Sequence, residues 1–150
     1  MFTMTSSGTT ASRRASPLDP ARVARHMTLG LALLALANLG PALWIVVDPH
    51  GFFEQVGPFG AYNPHYLGDA ASFQGGIGLV LAASLRWPAL RPGALAVTLG
   101  ATGLHAFNHW LDVGNAHAGS SAGLSDAVSL TVLTLLVVGL LRASLWEQAR

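Results

Sequence analysis

Apolar residues in this chain fall into long runs separated by short polar breaks. The first run, Met27 to Val47, has 21 residues. As a helix it would extend roughly 31 Å, enough to cross a hydrocarbon core. A second helix is predicted over residues 64–85, with Asn63 as N-cap and Pro64 in the first helical position. A third is predicted over 93–113 and a fourth over 125–145, where Ser125 can cap the start. Residues 86–92 (RWPALRP) form a tight, proline-punctuated connection, while 48–63 and 114–124 are polar connections. The pattern predicts an all-α fold: a four-transmembrane-helix bundle over residues 22–146. Residues 1–21, rich in Ser, Thr, Ala and Arg and without apolar period, are predicted to be a disordered cytoplasmic tail.

Two details refine the first helix. Ser12-Arg13-Arg14 has the look of a twin-arginine export signal, but a signal's apolar core is about 7–15 residues long and ends at a small-residue site. Ala35-Leu36-Ala37 could imitate that site, yet Leu39 to Val47 carries the run past it, so the helix is expected to be retained. Pro41, with Asn38 and Gly40, predicts a kink in its outer half.

The charges are sorted along this pattern. Arg13, Arg14, Arg22 and Arg25 precede the first run, Arg86 and Arg91 join the second to the third, and Arg142 and Arg150 follow the fourth. His50, His65, His105, His109 and His117 lie in or beside the two opposite connections, with Asp48, Glu54, Asp69, Asp112 and Asp126. Arginine-bearing segments resist translocation, so both termini and the middle connection are expected to be cytoplasmic, in a bacterial inner membrane. Trp44 and Trp110 fall at the outer ends and Trp87 and Trp146 at the inner ends, as interfacial belts do.

Composition agrees with a lipid-facing surface. Only 10% of residues are charged and 51% are hydrophobic, against about 25% charged in a soluble domain. The net charge of +1 says nothing as a total, since its meaning lies in the sorting of signs, and no nucleic-acid partner is expected. The absence of cysteine excludes disulfides and thiolate metal sites. Gly68, Ser72 and Gly76 share one helix face, which predicts close contact with another helix.

The chemistry-bearing residues gather near the outer ends of the second and third helices. His105, His109 and Asp112 stand at i, i+4 and i+7 and share a face, bordered by Asn108. His65 and Asp69 stand at i and i+4, with Ser72 a turn deeper. Adjacent antiparallel helices would bring these five residues together as ligands for a divalent transition metal such as zinc, iron or copper. An i, i+4 histidine pair is the spacing by which one helix chelates a single ion. The alternative is that these groups hydrogen-bond between helices and only fix their packing. Haem fits less well: His105 and His109 share a face and cannot be opposite axial ligands, so His65 would have to pair with one of them.

Other polar residues have simpler readings. Asp126 suits the N-terminus of the fourth helix. Asp48 and His50 could cover the site, but Asp-Pro-His-Gly is also ordinary turn chemistry. His117 is expected to be solvated, His26 interfacial, and Gln74 a candidate for bonding between helices. The aromatic segment Phe52-Phe53 to Phe59-Gly60-Ala61-Tyr62 would be an interfacial anchor or a lid.

Gly57-Pro58-Phe59, Asn63-Pro64-His65, Asp69 and His105-x-x-x-His109-x-x-Asp112 together resemble a group of small bacterial membrane proteins of broadly DoxX-like, four-helix architecture. The resemblance covers roughly residues 27–142. It implies a fold and a polar motif, not an activity. Three functions follow as expectations. The first is a membrane protein with an extracytoplasmic metal site at His65, Asp69, His105, His109 and Asp112. The second is a proton-linked transporter or transporter subunit, which would need polar residues continuing through an inner half that is nearly all Leu, Ala, Val and Gly. The third is a structural subunit. Its partners would be the bilayer and either further copies of itself or another membrane protein.

Overall fold

The computed structural model describes residues 19–56, 60–113 and 122–149. Those residues form five α-helices and no strand: α1 (Pro20–Val47), α2 (Pro49–Gln55), α3 (Pro64–Arg86), α4 (Arg91–Asp112) and α5 (Ala122–Gln148). A single 3-10 turn, Pro88–Leu90, links α3 to α4.

Three helices start by the same device. Asp19, Asp48 and Asn63 each precede a proline, and each side chain accepts a hydrogen bond from a backbone N–H of the first turn. Proline supplies the fixed φ and lacks the N–H that would go unpaired there. At Asn63 this is the expected start. At Asp48 it produces α2, a helix in a segment expected to be a turn. At Asp19 it starts α1 seven residues before the apolar run. The helix then passes through Pro41 without a break. Ser125 lies within the first turn of α5 rather than before it.

The expected four-transmembrane-helix bundle is not what these helices form. Among the described residues, only α1 and α5 are long and apolar enough to cross a membrane. Both α3 and α4 have the length, at 23 and 22 residues. However, Asp69, Ser72 and Gln74 with several glycines dilute the first, and Thr98, Thr102, His105, Asn108 and His109 the second. Length between breaks overstated their apolar character.

Packing divides the helices into two pairs, α1 with α3 and α4 with α5. Small residues set the first pair. A methyl group on Gly78 would lie 2.6 Å from Leu39 Cγ, and one on Gly75 would lie 3.7 Å from the Ala42 methyl. The expected stripe Gly68, Ser72, Gly76 is on another side of α3. Methyl groups on Gly68 or Gly76 would meet nothing within 4 Å among the described residues.

The pairs share a core at one end only. Met27, Leu31, Leu34 and Ala35 of α1, Leu81 of α3, Ala94 and Leu95 of α4 and Val137 of α5 form one buried cluster. α1 and α5 come close there, with Gly30 against Leu140. Toward the other end the buried cluster is Ala42 and Ile45 with Leu67 and Ala71, covered by Phe52 and Phe53 of α2. No α4 or α5 residue belongs to it. Among the described residues, the two helix pairs therefore share a buried cluster at the arginine-bearing end and none toward the histidine-bearing end.

An ion pair fastens the joined end. Arg91 Nη1 donates to Glu147 Oε2 at 3.2 Å, and Arg91 Nε points at the Ser84 carbonyl oxygen at 3.4 Å. The two side chains are only 15% and 27% exposed, so this arginine links three helices. Arg91 thus has a packing role that charge sorting alone does not reveal.

Candidate metal site

Each of the five expected site residues lies on α3 or α4, and the two helices place them differently. On α3, His65 Nε2 lies 3.8 Å from Asp69 Oδ2, with the side chains 91% and 61% exposed. Helix geometry explains the exposure. At about 100° per residue, His65 and Asp69 each stand about 160° round the helix from Leu67. Leu67 is buried in the cluster with α1 and α2, so the His65–Asp69 pair points away from the packed side.

The α4 histidines follow another line. His105 lies within about 20° of the line through Ala94 and Thr98 at 100° per residue, and both of those are buried. His105 and His109 therefore lie on the packed seam of α4, past the core that α4 shares with α1 and α3. His105 is exposed and His109 half-buried. Their Nε2 atoms are 3.1 Å apart, with ring centroids 4.8 Å apart and planes inclined at 57°. In a contact of that length one ring donates an N–H and the other accepts it, the roles depending on the tautomers.

Asp126, near the start of α5, is close enough for its charge to act on His105. Sequence reasoning assigned it to the helix dipole. Its signal was position, because an antiparallel α4–α5 pair sets the first turn of α5 beside the last turns of α4. Trp110 confirms that pairing by donating its Nε1–H to Thr131 Oγ1 at 2.9 Å. Asp112 is exposed on the last turn of α4.

The α1–α2 corner is a separate structure. Asp48 caps α2 through the Gly51 N–H at 2.9 Å. His50 Nδ1 lies 3.6 Å from Glu54 Oε1, and its ring meets the Tyr62 ring edge to face at 5.0 Å. Phe52 meets Trp44 and Phe53 meets Tyr62 in the same manner, at 5.6 and 5.5 Å. These aromatics close the α1–α3 end; Gly57, Pro58, Phe59 and His117 lie outside the described residues.

Of the five candidates, His65 stands beside Asp69 on α3 and His105 beside His109 on α4, with Asp112 on the last turn of α4. No group of three or more His, Asp or Glu side chains is gathered as a metal site among the described residues. Comparison with protein-family models, with curated proteins and with solved structures found no match.

Proposed function

We propose that this chain is a membrane protein that binds a divalent transition metal through His105 and His109. The membrane part rests on α1 and α5. A core helix of a water-soluble protein buries its apolar window, but these bury only 28% and 11% of theirs. Exposed apolar side chains along both, from Leu29 to Val47 and from Leu124 to Leu145, are what lipid would cover. Charge sorting supports an inner-membrane location with the arginine-bearing end cytoplasmic.

The metal part rests on one observation, the 3.1 Å separation of the two Nε2 atoms. Two imidazoles on one ion at about 2.0–2.1 Å stand roughly 2.8–3.0 Å apart at a right angle and roughly 3.3–3.4 Å apart at the tetrahedral angle. The observed distance falls between these, so the pair has the bite of a chelate and needs only ring rotation to aim both lone pairs at one ion. Water or groups beyond the described residues would complete the coordination. Asp126 adds a favourable negative charge. The contact of the His105 ring with His109 of the same helix favours this reading over one in which the His/Asp groups only fix packing between helices.

Titration of the purified full chain with zinc and with copper(II) tests this reading. Outer-shell partners alone are worth about 10–100-fold in metal affinity, so His105→Ala and His109→Ala should each weaken binding at least tenfold. His65→Ala should leave it unchanged. Wild-type affinity in both α4 variants would overturn the reading.

A further inference from the structure

The joined end of the molecule carries a second kind of chemistry. Arg22 and Arg25 on the first turns of α1, Arg86 at the end of α3 and Arg142 near the end of α5 are all exposed. Beside them, Trp87 is 58% and Trp146 41% exposed. Of the charges that could neutralise this end, Glu147 is held by Arg91. Asp19 stands 3.8 Å from Arg22, caps α1, and lines an open recess with Ala21, Arg22 and Arg25. That leaves a net positive surface around the ends of both apolar helices. Among the described residues, the opposite end has no arginine or lysine and holds Asp48, Glu54, Asp69, Asp112 and Asp126.

We propose that this arginine-bearing end binds the headgroups of anionic phospholipids. The position of the charges argues for lipid over any soluble anion. Arg22 and Arg25 immediately precede the apolar length of α1, and Arg142 interrupts the last apolar turns of α5, so each guanidinium sits where a spanning helix leaves the hydrocarbon. Arginine forks match phosphate oxygens in a bidentate manner, and arginine stems can lie along apolar surface while the charge reaches the headgroup layer. Trp87 and Trp146 suit the same depth. The inference uses the membrane reading of α1 and α5 and does not depend on metal binding.

Tryptophan quenching by brominated lipid tests it. In a Trp44→Phe/Trp110→Phe chain only Trp87 and Trp146 report, at the arginine-bearing end. In vesicles of phosphatidylcholine containing brominated phosphatidylglycerol, quenching should show a preference for the anionic lipid over brominated phosphatidylcholine of at least about fivefold, what one surface arginine supplies. The preference should shrink in 1 M salt and in the Arg22→Gln/Arg86→Gln/Arg142→Gln variant, whose helicity is checked by circular dichroism. The converse Trp87→Phe/Trp146→Phe chain, reporting from the acidic end, should show no preference. Equal quenching by both lipids in the first chain, or the same preference at both ends, overturns the proposal; the salt titration decides it without any arginine variant.

Discussion

Two glycines on α3 give opposite answers to the same substitution. Gly78 faces α1 so closely that an added methyl would lie 2.6 Å from Leu39 Cγ, 2.9 Å from its Cδ2 and 3.0 Å from its backbone nitrogen. The last contact is with main chain, so rotation of the leucine does not relieve it and the helices must move apart. Gly76, two residues earlier, has nothing within 4 Å of that position among the described residues. Alanine gains about 0.8–1 kcal/mol of helix propensity over glycine at either site, and this contribution cancels when the two variants are compared. What remains is the overpacking cost at Gly78, about 1–3 kcal/mol, with the backbone contact favouring the upper half of that range. Gly76→Ala should therefore be more stable than wild type and Gly78→Ala less stable. The assay is reversible unfolding in mixed micelles of dodecyl maltoside and sodium dodecyl sulfate, followed by circular dichroism. A difference between the variants below about 0.5 kcal/mol, well under the expected overpacking cost, would refute the α1–α3 register.

Two further predictions concern polar contacts between helices. The Arg91–Glu147 pair is intermediate between an exposed pair, worth about 0–1 kcal/mol, and a buried one, whose disruption costs about 3–5 kcal/mol. A double-mutant cycle with Arg91→Ala and Glu147→Gln should give a coupling of about 1–3 kcal/mol; strictly additive effects would show that the pair does not hold α4 to α5. Trp110→Phe removes the N–H that Thr131 accepts while keeping a smaller aromatic ring on this half-exposed position, and should cost about 0.5–1.5 kcal/mol for the lost bond. Thr131→Val in that background removes only the bond that the hydroxyl donates to the Ala127 carbonyl one turn back, which contributes little within a helix, so it should add little; a full second loss would separate the two residues.

The sequence was most readable where one residue decides one backbone event. Asn63-Pro64 announces α3, and the observed helix ends one residue from the expected boundary. The same grammar stands at Asp48-Pro49, but a seven-residue helix is too short to show periodicity, so Asp-Pro-His-Gly reads as a turn until its capping bond is seen. The two helices that could cross a membrane were legible because their apolar runs contain few polar positions. α3 and α4 differ for the opposite reason: each has spanning length, but the polar residues that suggest a site on it also lower its apolar character below that of a span.

The candidate site was half legible for a reason that lies in partner choice. An i, i+4 spacing fixes which residues share a face of one helix, so the pairs His65–Asp69 and His105–His109 follow from local geometry alone. Whether two such faces meet depends on which helices pack together, and the short connection between α3 and α4 suggests that those two do. Close-packing residues decide otherwise. Gly75 and Gly78 seat α3 on Ala42 and Leu39 of α1, and Gly103 and Trp110 seat α4 on Thr134 and Thr131 of α5. Once α3 turns its glycine face to α1, Leu67 must turn inward, and His65 and Asp69 are carried to the outside. The same choice sets the His105–His109 face of α4 past the core that α4 shares with α1 and α3, so the two pairs stand on different faces of the molecule and only the one on α4 sets two imidazoles side by side.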